Sequence, residues 1–427
     1  MKILWFTNTP CSAARTLGLP DYSGGWLSSL ERELGKIQDL ELAICFYVNN
    51  KAESFRLGST TYFPVARARK KSKIARFASD LLNRSGNADP SEIISLNRII
   101  DAYKPDLIHV HGTEENFGLV TESCHLPTVI SIQGILTAYA EKYFDGIPLA
   151  VCKKNEGFIN RMILNSFAFK FELFKRRAAR EKIILKRATN IFGRTAWDKN
   201  VISILAPRGR YFVNNEILRA PFYENVWRKK EFNTPIQLVT TLSDNLYKGF
   251  ETIVNTCVVL KANADLKFEW HVVGLTAGSE TVKIVAKWKK ITGLNISFCG
   301  HQDENQIAAL LMSSDIYIQT SHIENSPNSL CEAMALGMPI IASSAGGTDS
   351  LFDNGKEGLL YQPGEHLSLA GMILTLNDNF TQASAMGAAA RSRALVRHNR
   401  EEIVASLLAD YKEMIKSQKK PVEHDNK

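Results

Sequence analysis

The chain has 427 residues, of which 45% are hydrophobic and 22% charged, with 52 Lys and Arg against 44 Asp and Glu. That composition excludes a disordered or fibrous protein, and the length accommodates two domains of roughly 200 residues, each with its own core. No apolar run reaches the ~20 residues that span a bilayer. The seven cysteines are odd in number, scattered, and without a Cys-x-x-Cys pair, which argues against a disulfide framework or zinc site and for a reducing compartment.

From the start, strand-like and helix-like runs alternate. MKILWFTNTP opens with a strand-like run and lacks the apolar region and small-residue cleavage site of a signal peptide, so a cytoplasmic location is expected. KILWFT, ELAICFYV, DLIHVHG, TVISIQG and NIFG read as strands of the first half, with helical runs at 26–36, 91–103 and 158–187. Pro221, the charge run 228–231 and Pro235 interrupt the pattern. IQLVTTL, FEWHVVG, ISFCG, DIYIQT, PIIAS and GLLY follow, alternating with helices near 249–262, 279–290, 303–314 and 327–336. Such alternation implies an α/β protein with two parallel, doubly wound sheets. The expected division is a first domain over 1–218, a linker at 219–234, a second domain over 235–395, a last helix at 396–416 and a disordered tail from 417 to 427.

Residues 321–339, SHIENSPNSLCEAMALGMP, specify a geometry. They lie between the strands DIYIQT and PIIAS, so the unit is strand, loop, helix, strand, with its loop at the carboxyl end of a strand where open α/β sheets bind ligands. Ser326 is a good N-cap, Pro327 is tolerated in the first turn, and Gly337 with Pro339 ends the helix. Free amides at Asn328, Ser329 and Leu330, with the helix dipole, make an anion site. Glu324 and Glu332 flank it, and their carboxylates accept hydrogen bonds from hydroxyls. A nucleotide-sugar, with a diphosphate between two sets of hydroxyls, uses every part; the plainer reading is a capped helix with two surface glutamates.

The string ENSPNSLCEAMALGMPIIAS resembles the E-x7-E signature of family 4 glycosyltransferases, and the likeness extends over nearly the whole chain. FGRTAWDK (192–199), NNEILRAPFY (214–223) and SAGGTDSLFDNGKEGLLYQPG also look like segments of polysaccharide-type members. The resemblance implies a GT-B fold, two Rossmann-like domains facing across a cleft, with the last helix crossing back to the first domain. It places Glu332 on the ribose, Glu324 and Asn325 beside the donor sugar, and Gly346-Gly347 at a turn by the donor cleft.

Lys248-Gly249 follows IQLVTTL and opens a helix, so its ammonium can reach a phosphate; the family's Lys-Gly motif has this context, although Leu242 stands where members often have Arg. Gly24-Gly25 precede a helix near Trp26 and match the family's glycine-rich loop. His109 and His111 project from one side of their strand; one suits substrate contact, the other a satisfied core histidine. Gln133-Gly134 occupy the place where the family commonly has His, and Gln133 cannot carry a proton. His111, Gln133 and Gly134 are the acceptor- or sugar-proximal candidates.

The activity implied is retaining transfer of a sugar, from a UDP-sugar most often in this family, to a glycan hydroxyl in surface-polysaccharide assembly. Lys248 and the helix amides would hold the leaving diphosphate. No metal or other cofactor is expected, since no Asp-x-Asp pair lies beside the donor site. Basic clusters at 67–76 and 169–187, the second interleaved with Phe171 and Phe174, suit an anionic membrane surface and hence a lipid-linked acceptor and a peripheral place on the cytoplasmic face of the inner membrane. The other reading of the second cluster is a helix whose apolar side joins the first domain's core. No nucleic-acid motif accompanies the charge. The alternatives are a sugar-nucleotide epimerase of the same fold and a catalytically silent sugar-nucleotide binder; oligomeric state is not readable.

Overall fold

The computed structural model describes residues 1–19, 25–49, 52–67, 90–157, 165–263 and 265–419. Gly24, the basic run beyond Arg67, residues 158–164 and residues 420–427 lie outside them. Two sheets organise the chain. The first contains β1 (Lys2–Thr7), β2 (Glu41–Val48), β3 (Phe55–Leu57), β4 (Thr60–Ala66), β5 (Leu107–His111), β6 (Thr128–Ser131), β7 (Asn190–Gly193) and β8 (Arg210–Val213), in the order β3-β4-β2-β1-β5-β6-β7-β8. Only β3 is antiparallel to its neighbour. The second contains β9 (Ile236–Thr241), β10 (Phe268–Val273), β11 (Ile296–Gly300), β12 (Ile316–Gln319), β13 (Ile340–Ser343) and β14 (Leu359–Tyr361), all parallel, in the order β11-β10-β9-β12-β13-β14.

Both sheets are buried on both faces, which is why their strands read as continuous apolar runs rather than alternating ones. Successive residues of β1 serve opposite cores: Ile3 and Trp5 pack with Leu27, Leu30 and Leu407, whereas Leu4 and Phe6 pack with Leu96, Ile184 and Leu185. β9 divides likewise, Leu238 to one face and Val239 to the other. Strand order reverses between β1 and β5 in the first sheet and between β9 and β12 in the second. These are the topological switch points, and the carboxyl ends of those four strands define two crevices.

The segment expected as a linker is not a free tether. It contains the helix Ala220–Glu224, and Leu218, Phe222 and Trp227 sit in the core of the second domain. The last helix, Arg400–Lys419, runs three residues past the expected end at 416. It lies on the first domain, with Ile403, Leu407, Tyr411 and Met414 in that domain's core. The Tyr411 hydroxyl accepts from Trp5 Nε1 at 3.1 Å and donates to His109 Nδ1 at 2.5 Å, while His109 Nε2 donates to Ser131 Oγ at 2.6 Å. Burial, with Arg194 nearby, moves the His109 imidazole down to about 3, so it is neutral, as this pattern requires.

The helix Phe167–Arg187 starts nine residues later than the run 158–187 expected, capped by Ser166, whose side chain accepts from Phe169 N. Two of its aromatic residues meet neighbours within the protein. Phe171 and Phe174 pack on Tyr143, whose ring also meets Tyr247 of the second domain, and Ile184 and Leu185 complete the first domain's core. Interdomain packing therefore accounts for the interleaved aromatics. Arg180 is likewise engaged, donating to Asn116 Oδ1 at 2.6 Å and to the Glu114 carbonyl. No helix among the described residues is long and apolar enough to cross a membrane.

Where the chain passes between domains, Glu216 is wholly buried. It accepts from Ser326 Oγ at 2.5 Å and lies 3.6 Å from Arg194 Nε. Burial alone would raise its pKa; Arg194, His398, Arg397 and the Ser326 hydroxyl outweigh it and hold the carboxyl down at about 2. Glu216, Cys331 and His398 present ligand atoms within 4.8 Å of one another, but the two guanidiniums already supply the positive charge a cation would bring.

Tyr411→Phe leaves Trp5 Nε1 and His109 Nδ1 buried without their partner, and should cost about 1–3 kcal/mol in urea unfolding; an unchanged midpoint would show that the last helix is not anchored there. Because the folded-state pKa of Glu216 lies below its unfolded value, its stabilisation is present above pH ~4.5 and is lost as pH falls through ~2. Glu216→Gln should flatten the fall in stability between about pH 5 and 2 and cost roughly 3 kcal/mol at neutral pH. An acid-unfolding curve parallel to wild type would refute this assignment.

Candidate functional site

β9 and β12 lie side by side, so the loops leaving their carboxyl ends meet. After β9, Lys248 precedes Gly249, which has φ +78°; a Cβ there would collide with the Thr320 carbonyl, so the close approach of the two loops requires glycine. After β12, residues 321–327 are all buried. Lys248 Nζ donates to Glu324 Oε1 at 2.5 Å, and Ser321 Oγ donates to the same oxygen at 2.7 Å. The first two sequence candidates are thus an ion pair in the switch crevice.

The helix begins at Asn328, one residue later than expected, with Pro327 at the N-cap position and Gly337 in the left-handed conformation at its end. Ser326 does not cap it, because its hydroxyl donates to Glu216 instead. The Leu330 amide is not free either, donating to the Pro327 carbonyl at 3.0 Å. Among the described residues, the amides of Asn328 and Ser329 have no acceptor, and these two are the only partly exposed positions between 321 and 336. A helix start with two open N–H groups is suited to receiving an anion.

Glu332 is buried on that helix, and both its oxygens accept from Arg219, Nε to Oε1 and Nη2 to Oε2, each at 2.7 Å. Burial raises the Glu332 pKa against the opposing pull of Arg219. The fork fixes the carboxylate while leaving each oxygen a further lone pair. Arg219 lies inside NNEILRAPFY, yet nothing in that string marks it as the partner of a residue 113 positions away.

Asn325 serves a different purpose from the one expected. Its Oδ1 accepts from Thr195 Oγ1 at 2.7 Å, and its Nδ2 donates to Asp198 Oδ2 at 2.9 Å and to the Gln133 carbonyl at 3.3 Å. All three partners are in the first domain, so the side chain ties the domains together rather than facing a donor. Thr195 and Asp198 are themselves a capping box on the helix Ala196–Leu205. A Cβ on Gly346 would collide with the Glu324 carbonyl, and one on Gly347 with the Asn325 carbonyl, so both glycines admit the turn that packs on this loop.

The remaining candidates belong to the first domain. Gly25 starts the helix Gly25–Leu34 at φ +56° with open space beside it, and Gly134 lies against the ring of Tyr139. His109 is the satisfied core histidine. His111, 2% exposed, stacks on it at 3.7 Å between ring centroids and has no partner at either nitrogen among the described residues. Gln133 Nε2 is also unpartnered. Leu242 is in the second domain's core, leaving Lys248 as the cation that this crevice receives from the β9 loop. A separate cavity of about 910 Å³, bounded by Pro235, Lys267, Phe268 and Asn295, opens at the amino ends of β9, β10 and β11, the opposite end of the sheet from Lys248 and Glu324.

Residues 224–393 match the family model described as glycosyl transferases group 1. The amylovoran biosynthesis glycosyltransferase AmsK of Erwinia amylovora is 22% identical over 209 residues, 48% of this chain and 51% of that protein. A putative colanic acid biosynthesis glycosyltransferase, WcaL of Salmonella typhimurium, is 23% identical over 33% of this chain and 35% of its own. The aligned segments thus span about half the length of these relatives or less. Among solved structures, sucrose-phosphate synthase from Thermosynechococcus elongatus aligns over 98% of this chain and 100% of its own with a TM-score of 0.72 at 15% identity. HepE of Anabaena, in complex with UDP and glucose, aligns over 96% and 99% with a TM-score of 0.62 at 16% identity. The fold is GT-B, two Rossmann-like domains with parallel sheets. The match to the group 1 glycosyl transferases covers most of the second domain, including Lys248, Glu324 and Glu332.

Proposed function

We propose that the chain is a retaining glycosyltransferase of the family 4 type, transferring a sugar from a UDP-sugar to a hydroxyl of a lipid-linked glycan in bacterial-type surface-polysaccharide assembly. The observation that carries this reading is the Lys248–Glu324 pair, 2.5 Å apart at the switch point of the second sheet and beside the open amides of Asn328 and Ser329. Breaking the anomeric C–O bond leaves negative charge on a diphosphate. A fixed ammonium and two oriented N–H groups stabilise that charge without reorganising. Glu324 accepts from hydroxyls of the donor sugar, and Glu332, held by Arg219, from those of the ribose. The protein's own positive field performs the leaving-group role, so the reading calls for no cofactor.

The choice of UDP is supported by HepE, whose structures include complexes with UDP and with UDP-glucose. The polysaccharide context is supported by the names of AmsK and WcaL. With Phe171 and Phe174 partly buried against the second domain's core, attraction to a cytoplasmic membrane face would rest on exposed basic residues such as Lys175, Arg177 and Lys182.

In a melting-temperature screen of nucleotide diphosphates and their sugars, a UDP compound at about a hundred times its Kd should stabilise the fold by about 2.7 kcal/mol. Lys248→Ala should abolish that shift, and Glu324→Ala should reduce transfer by more than roughly tenfold while the UDP shift persists. No shift with any nucleotide would defeat the proposal. A donor epimerised without acceptor, seen by NMR, would replace it with the isomerase reading. Unaltered cellular function in the double variant would favour the silent binder.

A further inference from the structure

The first sheet has its own switch crevice, at the carboxyl ends of β1 and β5, and the donor site uses none of its side chains. β5 pairs with β6, His111 opposite Ser131, so the loops at 112–116 and 132–135 leave the sheet together. Among the described residues, three side chains here carry atoms without a partner: both ring nitrogens of His111, Glu114 Oε2 and Gln133 Nε2. Burial, His109 and Arg194 hold the His111 imidazole well below its ordinary pKa, so it is neutral and offers one donor and one acceptor. Gln133 offers a donor and Glu114 an acceptor. That mixed set suits sugar hydroxyls rather than a phosphate.

Glu114 is held with some care. Gly112 has φ +94°, and a Cβ there would run into Glu114 Oε2, so glycine makes the room in which the carboxyl folds back over the strand end. Two consecutive residues of the helix Phe167–Arg187 fix the loop. Arg180 donates to the Glu114 carbonyl and to Asn116, and Glu181 accepts from Thr113 Oγ1 at 2.6 Å, Leu136 N at 3.0 Å and Thr137 N at 2.7 Å. Across the domain boundary, the rings of Tyr139 and Tyr247 are 5.5 Å apart. Each phenol has its pKa raised, by burial first, with Glu324 and more weakly Glu114 adding to the rise, so a carboxylate of each domain acts on this pair of rings.

We propose that Glu114 is the proton-accepting residue on the acceptor side of the cleft, taking the proton of the attacking hydroxyl during sugar transfer. The proposal rests on the glycosyltransferase reading. The hydroxyl oxygen forms the new bond to the anomeric carbon on the face that the diphosphate leaves, which retains the configuration. The anomeric C–O bond to the diphosphate breaks with its electron pair passing to the phosphate, and the hydroxyl proton moves to the Glu114 carboxylate. Glu115 acts on this group from its own loop, Arg180 and Glu181 from the long helix, and the phenols of Tyr139 and Tyr247 from the two domains. Burial moves the carboxyl up to about 7; its own loop amide and Arg180 oppose the rise, and Glu181 and Glu115 add to it. A base with a pKa near the working pH combines adequate basicity with a populated unprotonated form.

The test uses the UDP- or GDP-sugar giving the largest melting shift with the wild-type chain, and measures its transfer to water as release of the nucleoside diphosphate between about pH 5.5 and 9. Glu114→Gln keeps the side chain's shape. It should retain the melting shift, slow release by about a hundredfold, and lose the fall in rate below about pH 7 seen with wild type. Equal rates and pH profiles in the two proteins would overturn the proposal and leave the proton to the departing diphosphate. Absence of any release by a wild-type protein that binds the donor would also overturn it, since a base at this place serves water as well as a sugar. Absence of a melting shift with every nucleotide sugar would instead remove the donor-site reading on which the proposal rests.

Discussion

The loop after β12 consists of polar residues in a buried place, and its conformation depends on hydrogen bonds from both domains. Asn325 gives its whole amide to Thr195, Asp198 and Gln133, while Ser326 gives its hydroxyl to Glu216. Thr320 and Ser321 bond within the second domain, to the Lys248 carbonyl and to Glu324. A buried amide or hydroxyl without a partner costs a few kcal/mol, so such a loop holds one shape only when every group is matched. The consequence is that Glu324 and the start of the following helix are placed correctly only when the first domain is in contact.

The charged pairs around this loop follow the same logic. Arg219 with Glu332 and Arg194 with Glu216 are buried or nearly so, and pairs of that kind return little more than their desolvation cost. Their use lies in direction. The guanidinium fork fixes the Glu332 carboxylate, and Arg194 with Arg397 keeps Glu216 ionised where the chain crosses between domains. The open amides of Asn328 and Ser329 and the Lys248 ammonium are thus presented on a frame whose own charges are already balanced.

Most of the strand framework was legible because strands buried on both faces must be apolar throughout, and short runs such as IQLVTT and FEWHVV have no other stable use. β3, β4 and β8 escaped notice: β3 has only three residues, β4 contains Pro64, and β8 begins and ends on exposed residues. The stretch 321–339 was legible as strand, loop and helix, and Gly337 ends that helix as its position implies. Capping was not, because Ser326 had a distant competitor in Glu216 that no local rule contains. The same limit explains Asn325 and Arg219, whose partners lie more than 100 residues away. Phe171 and Phe174 looked suited to lipid because sequence gives composition without saying which surface covers it; the second domain does. Glu114 gave no sign at all, standing as one of two adjacent acids in a loop until the fold enclosed its carboxyl.

The central claim is that a diphosphate sits at the start of the helix Asn328–Leu336. A crystal structure with a bound UDP-sugar tests it most directly. The account predicts phosphate oxygens within about 3 Å of the Asn328 and Ser329 amides and of Lys248 Nζ, with the sugar beside Glu324 and the ribose beside Glu332. A ligand lodged elsewhere, with the Lys248–Glu324 pair undisturbed and both amides facing water, would contradict it.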